Sequence, residues 1–424
     1  MEGKAVLAVL FIVGLLVGAG IGYAAAPPRV EVVTEEVEVP ALSGTIKIGA
    51  ILSLTGGLAT YAENEKVALE IAEQEINAML EACDSPVRIE VLFMDSETKP
   101  DVALSKLQDL AAQGVQVVIG LMSSAEVRNC KTYADTNKIL VISPSSTAPD
   151  LAIVDDYVFR FCPDDTKQGP AMARVIWDSG VRYVIPVYRG DAWGVGLVEA
   201  AMARFEELGG TVAEGIMYSP EAREFTAEVS TLADMVEEAV NTYGADQVGV
   251  YFVAFEEAAT FFDQADQYPI LKQVRWFGSD GTALSSAILE DPVAAQFAIE
   301  TKFVNTYFAP VESEKLTELK EAIEAELQRI PDPYAYNAYD ALWVVFKSIM
   351  IAGEYDADAI KAILPTVAES TFGASGWIKL NEAGDREIGD YNLWVIMEVD
   401  GEPQWVLAGT YTAATDSVAW LVQL

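Results

Sequence analysis

An α/β chain of two similar halves, each a parallel sheet flanked by helices, is the fold class this sequence predicts. Three observations carry it. Short apolar runs alternate with stretches of helical periodicity, the pattern of βαβ units. The alternation breaks at "PDDTKQGP" (163–170) and then starts again. Finally, 424 residues exceed what one ordinary core fills, so two domains are expected.

In chain order, "TIKIGAILSL" (45–54) is a strand ending in Thr55-Gly56-Gly57. Helical spacing of Val67, Leu69, Ile71, Ile76 and Leu80 predicts a helix over Ala62–Leu80. "VRIEVLFMD" (87–95) is the next strand, and Pro100–Gln113 a helix with proline in its first turn. "VQVVIG", a helix over Ala125–Asn137, and "KILVIS" complete the first half. The second half repeats the alternation. It runs through "YVIPVY", a helix over Gly194–Leu208, "GTVAEGIMY", a helix over Glu224–Thr242, "QVGVYFVAF", a helix from Glu256, and "QVRWFGSDG". A charged helix (Glu312–Arg329), an aromatic stretch "PDPYAYNAYDALWVVF" and a final set of strands follow.

Residues 1–26 are expected to stand outside this fold. Ala5–Ala26 is an unbroken run of 22 apolar or small residues, long enough to span a bilayer as one transmembrane helix. It is preceded by Lys4 and followed by Arg29 and an acidic run, which places the body outside the cytoplasm. "YAAAPP" fits a signal-peptidase site, so the segment reads as a membrane anchor or a cleaved signal. No cysteine follows it, which excludes a lipoprotein anchor. The Val/Glu-alternating segment 27–44 reads as an extended acidic stalk.

Composition excludes several functions. With 65 Asp plus Glu against 27 Lys plus Arg, the net charge is −38. Such a surface is soluble and repels phosphate backbones, so no nucleic acid is expected as a partner. There is no histidine, which removes the usual neutral-pH base and the commonest metal ligand. No Walker loop, G-x-S-x-G or complete G-x-G-x-x-G is present, so neither enzymatic activity nor a cofactor or metal is expected. Three cysteines stand far apart. An odd number cannot all pair within the chain, and a Cys83–Cys130 bridge is left open.

The strand ends carry the candidate site, because ligands of open α/β sheets bind outside the carboxyl ends of the strands. Ser123-Ser124 ends "VVIGLMSS", and Ser145-Ser146-Thr147 ends "LVISPSST". Hydroxyls with free N–H groups at a helix start suit a carboxylate, although the same residues also serve as helix caps and turns. In the second half, Trp193, Phe255 and Asp280 stand at the corresponding strand ends. They suit the apolar part and the ammonium of a small ligand.

Together, "IKIGAILSLTGGLATYAENEKVALEIAEQEIN", "VVIGLMSSAEV", "LVISPSSTAPDL", "FRFCPDDTKQGP", "VYRGDAWGVGL" and "GASGWIKLNEAGDRE" resemble the Leu/Ile/Val-binding family, substrate-binding proteins of ABC transporters with the type I periplasmic binding protein fold. The resemblance runs from about Thr45 to Gly401. It implies two lobes joined by three crossovers, with lobe 1 at 45–165 plus 306–375 and lobe 2 at 166–305 plus 376–424. Ser124 and Ser145, Ser146 and Thr147 would bind a ligand α-carboxylate, with Thr147 also taking the ammonium. Asp280 would neutralise that ammonium, and Trp193 and Phe255 would cover the ligand. Tyr336, and Leu58 or Tyr61, are implied as side-chain contacts. The chain departs from the pattern where Ser123 replaces a disulfide cysteine and where Asp280 replaces a glutamate one methylene longer. The implied partners are an amino acid, branched-chain or otherwise apolar, and an ABC permease. The implied place is the outer face of the membrane. A ligand-sensing or structural surface protein of the same fold is the alternative.

Overall fold

The computed structural model describes residues 42–387 and 389–423. The expected membrane segment, and the expected stalk up to residue 41, lie outside them. Among the described residues no helix is long and apolar enough to cross a membrane.

The first half runs β1 (Gly44–Leu52), α1 (Ala59–Ala82), β2 (Val87–Asp95), α2 (Pro100–Ala112), β3 (Val117–Gly120), α3 (Ser124–Asn137), β4 (Leu140–Ser143) and β5 (Val158–Pro163). Its strands pair in parallel in the order β2-β1-β3-β4-β5. Side chains alternate between the two faces of a strand, and both faces here are covered. Ile48, Ile119 and Ile142 join the apolar layer that includes Val67 and Ala72 of α1. Ile51, Val118 and Val141 pack with Leu107 of α2 and Val127 of α3. Double coverage explains why β3 and β4 read as continuous apolar runs.

The chain then crosses into α4 (Asp165–Asp178) and repeats the pattern as β6 (Tyr183–Arg189), α5 (Ala192–Glu207), β7 (Thr211–Val212), β8 (Ile216–Tyr218), α6 (Thr226–Tyr243), β9 (Val248–Val253), α7 (Ala258–Ala265) and β10 (Arg275–Phe277). β6 has β7 and β8 on one side and β9 on the other, and β10 lies beyond β9, all in parallel. An aromatic cluster fills this half, with Trp276 edge-on to Phe252, Phe262 and Phe297.

After α8 (Ser286–Glu290) and α9 (Pro292–Glu300) comes β11 (Asn305–Ala309). Three helices follow, α10 (Glu314–Leu327), α11 (Pro333–Ala352) and α12 (Ala357–Glu369). The chain ends in a hairpin of β12 (Phe372–Gly373) with β13 (Gly376–Trp377), then β14 (Asp385–Arg386), β15 (Asp390–Val399), β16 (Glu402–Thr412) and β17 (Ser417–Trp420). The aromatic stretch at 331–346, read from sequence without a helix, is mostly α11. That helix is buried on nearly all sides, so it shows no amphipathic stripe to read.

Two expected lobe boundaries need correction. β11 runs in an antiparallel sheet, β11-β15-β16-β17, which joins the second half through the Val304–Phe277 bridge. The chain therefore returns to the first half only after Ala309, not at 306. β14 pairs with β5 of the first sheet, so the last crossing follows Arg386 rather than residue 375. Strand membership is set by hydrogen bonding between distant segments, and composition does not mark it. The three crossing segments meet where a Cβ on Gly389 would stand 2.5 Å from Pro163 and 3.1 Å from Phe308. Cys83, Cys130 and Cys162 are all free thiols, Cys83 exposed and the others buried. The bridge left open in the sequence is thus absent, and burial pushes the Cys130 thiol up to about 12.

Candidate functional site

Both sheets have the strand order in which the chain winds outward from a central pair, β1/β3 in the first and β6/β9 in the second. The gap between such a pair is the switch point where open α/β sheets hold ligands. One cavity touches both. It is lined by Leu58 after β1, Met122, Ser123 and Ser124 after β3, Ser145 after β4, Trp193 after β6, Phe255 after β9, and Asp280 and Gly281 after β10. Tyr61, Tyr307 and Tyr334 complete the wall.

The serine side is built by backbone geometry. Gly120 has φ +120°, and a Cβ there would collide with the Ile51 carbonyl. Leu121 follows at φ +57°, its N–H donating to that same carbonyl at 2.9 Å. This turn aims the chain into α3. Ser123 caps the helix in a capping box, its hydroxyl accepting from Glu126 N while Glu126 accepts from Ser123 N at 2.8 Å. Ser124 Oγ shares a hydrogen bond with Ser146 Oγ at 2.9 Å and accepts from Ala148 N at 3.1 Å. Ser145 Oγ donates to Met122 O at 3.2 Å.

The expected hydroxyls therefore divide. Ser124 and Ser145 face the cavity. Ser146 and Thr147 are not among its lining residues. Ser146 ties the two serine loops together, and the Thr147 hydroxyl donates to Asp165 Oδ2 at 3.1 Å while its carbonyl accepts from Asp165 N at 2.9 Å. The loop itself hangs on Arg160, whose Nη1 donates to the carbonyls of Ser146 and Ala148 at 3.2 and 2.7 Å.

Across the cavity, Trp193 and Phe255 are stacked on each other at 4.6 Å between centroids, 21° apart. Asp280 is buried and accepts from Gln168 Nε2 at 2.8 Å and from the Tyr334 hydroxyl at 2.6 Å. Burial raises its pKa above the ordinary carboxylate value, against the opposing pull of those two donors. Burial also raises Asp165 well above the ordinary value, with the charge of Asp280 adding to it. Tyr61 reaches over from α1 and donates to the carbonyls of Gly281 and Ala283, both at 3.1 Å. Glu256 N donates to Gly57 O at 3.1 Å, and Thr60 bonds the Glu256 carboxylate. These contacts hold the two halves together over the cavity.

Tyr336 lies outside the lining. Its hydroxyl donates to Pro331 O at 3.4 Å, and Tyr334 faces the cavity instead. Residues two apart on a helix point about 200° away from each other, so only one of the pair can face inward. Asp332 caps α11 and Pro333 opens it, which puts Tyr334 in the first turn of the helix. Tyr307 is held by its bond to Asp332 Oδ1 at 2.9 Å and packs edge-on against Tyr334. It carries no local signal. Among the described residues no cluster of His, Cys, Asp or Glu is arranged to hold a metal.

Helix-start hydroxyls on one side, a buried carboxylate and stacked aromatics on the other, and contacts clasping two α/β halves define a ligand-binding protein of the type I periplasmic binding fold. The chain belongs to the family described as the receptor family ligand binding region, whose model matches residues 64–397. An uncharacterised protein of Methanocaldococcus jannaschii is 37% identical over 88% of this chain and 91% of that protein. A Leu/Ile/Val-binding protein homologue of Brucella melitensis is 25% identical over 82% of this chain and 90% of its own. The solved structure of a branched-chain amino acid transporter substrate-binding protein of Streptococcus pneumoniae, in complex with isoleucine, superposes with a TM-score of 0.70 at 20% identity, covering 85% of this chain and 98% of that one. Relatives with named roles are binding proteins and not enzymes, in line with the expectation from sequence.

Proposed function

We propose that this chain is an extracytoplasmic receptor that captures an amino acid between its two halves and presents it to an ABC permease. The pairing of helix-start serines with a buried acid across one cavity carries the reading. Ser124, Ser145 and the free N–H groups at the start of α3 meet the α-carboxylate. Asp280, held by Tyr334 and Gln168, meets the ammonium. Trp193, Phe255 and Leu58 cover an apolar side chain, with Tyr61 closing the cavity from above. Thr147 contributes indirectly, by fixing the serine loop to Asp165. The names borne by the Brucella and Streptococcus relatives support a branched-chain solute.

The cavity is about 30 Å³, room for roughly two waters. An amino acid is therefore admitted only when the halves part, and closure about the three crossing segments then traps it. A thermal-shift screen of the purified protein against the twenty amino acids, simple amides and urea tests this. A rise in Tm with an apolar amino acid is expected by mass action, and no shift with any of them would remove the amino-acid reading.

Closure has a steric gauge. A Cβ on Gly196 of α5 would stand 2.8 Å from Pro149 Cδ, which belongs to the first half. Gly196→Val is expected to wedge the closed form and weaken binding by roughly tenfold or more, with the unfolding free energy of the unliganded protein little changed. Equal affinity in calorimetry would show that this approach is not part of closure.

Acidity should act in opposite directions on fold and ligand. Asp165 and Asp280 both hold their proton more tightly in the fold than in the unfolded chain. The stability this contributes is complete below about pH 4, the ordinary carboxylate value, and is lost as pH rises through the raised folded-state values. Ammonium binding needs Asp280 ionised. The ligand-induced rise in Tm is therefore expected to grow as pH rises above about 4, the ordinary carboxylate value, and through the raised folded-state value of Asp280, and a constant or shrinking shift would count against Asp280 as the ammonium partner.

A further inference from the structure

The end of β6 carries an arginine, Arg189, that is only 6% exposed. Its guanidinium carbon stands 4.0 Å from the Phe255 ring centroid. Its Nε donates to Asp191 Oδ2 at 2.7 Å and its Nη1 to Glu257 Oε1 at 2.5 Å. Each of these acids has a second duty. Asp191 Oδ1 accepts from Gly194 N at 2.9 Å and so caps α5, whose second residue is Trp193. Glu257 Oε1 also accepts from Phe255 N at 3.2 Å and from the Tyr218 hydroxyl at 3.0 Å. Between Phe255 and Glu257 lies Glu256, whose N–H reaches Gly57 in the first half.

We infer that Arg189 is a positioning residue for the ligand pocket: one buried guanidinium, acting through Asp191 and Glu257, places both aromatic walls and the loop that clasps the opposite half. The inference rests on the reading of that cavity as the ligand site. Its physical basis is the shape of the group. A guanidinium is a flat fork of fixed donors that can bond two carboxylates while its face lies on a ring. An ammonium on a flexible stem cannot hold all three at once. Without the fork, the start of α5 and the loop at 255–257 lose their common reference, and the Trp193–Phe255 stack is free to shift. That stack forms the wall opposite the serines, so Arg189 also sets the width left for a ligand side chain.

Two variants test it. Arg189→Lys keeps the charge and loses the fork. Asp191→Asn keeps a side-chain acceptor suited to the helix cap and loses the ion pair. Both should lower affinity for whichever amino acid shifts the wild-type Tm, by roughly ten- to a hundredfold, the range for a lost charge-assisted hydrogen bond. In the unliganded protein, hydrogen exchange at Gly194 N and Phe255 N should speed up in Arg189→Lys, while amides of the central strands β1 and β9 keep their protection. A role confined to general stability would instead raise exchange everywhere. Wild-type affinity in both variants, or unchanged exchange at those two amides in Arg189→Lys, overturns the inference. If the wild-type protein binds no amino acid, the ligand reading fails on its own, and the exchange rates still decide whether Arg189 positions the two walls.

Discussion

Asp280→Asn is expected to reduce amino-acid affinity by roughly a hundredfold or more while the protein stays folded. Asparagine keeps the shape and can still accept from Tyr334 or Gln168, so little packing is lost. What disappears is the negative charge in a buried site where no water can replace it. A charge-assisted hydrogen bond contributes about 1.5–3 kcal/mol, and leaving an ammonium desolvated beside a neutral amide costs more again. Tyr334→Phe should act in the same direction and more weakly, because it removes a donor that steadies Asp280 without touching the charge. Isothermal titration of both variants decides the matter. Wild-type affinity in Asp280→Asn would take the ammonium away from this carboxylate.

The other large effect concerns the fold beneath the serines. Arg160 is fully buried and pairs with Asp385 by two parallel bonds, Nε to Oδ1 and Nη2 to Oδ2, both at 2.6 Å. Its remaining nitrogen holds the Ser146 and Ala148 carbonyls. Arg160→Met would leave Asp385 as a buried charge without its partner and free the loop that presents Ser145. Breaking such a pair costs about 3–5 kcal/mol, which for a chain of this size corresponds to a fall in Tm of roughly 4–6 °C. The double variant Arg160→Met/Asp385→Leu should regain much of that stability, since the unpaired charge is gone. It should still bind ligand poorly, because the serine loop has lost its anchor. Denaturant unfolding of the single variant within about 1 kcal/mol of wild type would show that water reaches Asp385 and screens it.

The sequence by itself determined the α/β alternation, the two halves and the strand ends at which ligand residues gather. These are local matters. Apolar period, proline and glycine placement and capping residues are written within windows of a dozen residues, as in "VVIGLMSSAEV", where strand, turn and capped helix follow directly. Trp193, Phe255, Asp280, Ser124 and Ser145 all line the cavity for that reason, each standing within a few residues of a strand end, and Tyr61 joins them from the first turn of α1.

Only the tertiary structure decided the rest. Which hydroxyls face the cavity depended on loops 22 residues apart bonding to each other, and this turned Ser146 and Thr147 inward to the scaffold. The choice of Tyr334 over Tyr336 depended on the orientation of α11, a helix too thoroughly buried to show which side faces the ligand. The places where the chain crosses between halves were set by β14 joining β5 and β11 joining β15, pairings between segments roughly 225 and 85 residues apart. The link from Arg189 through Asp191 and Glu257 needed a strand end and a loop 68 residues apart to meet. A residue's local setting follows from its neighbours in sequence, whereas its partners follow from how distant elements pack, and the working geometry of this site belongs to the partners.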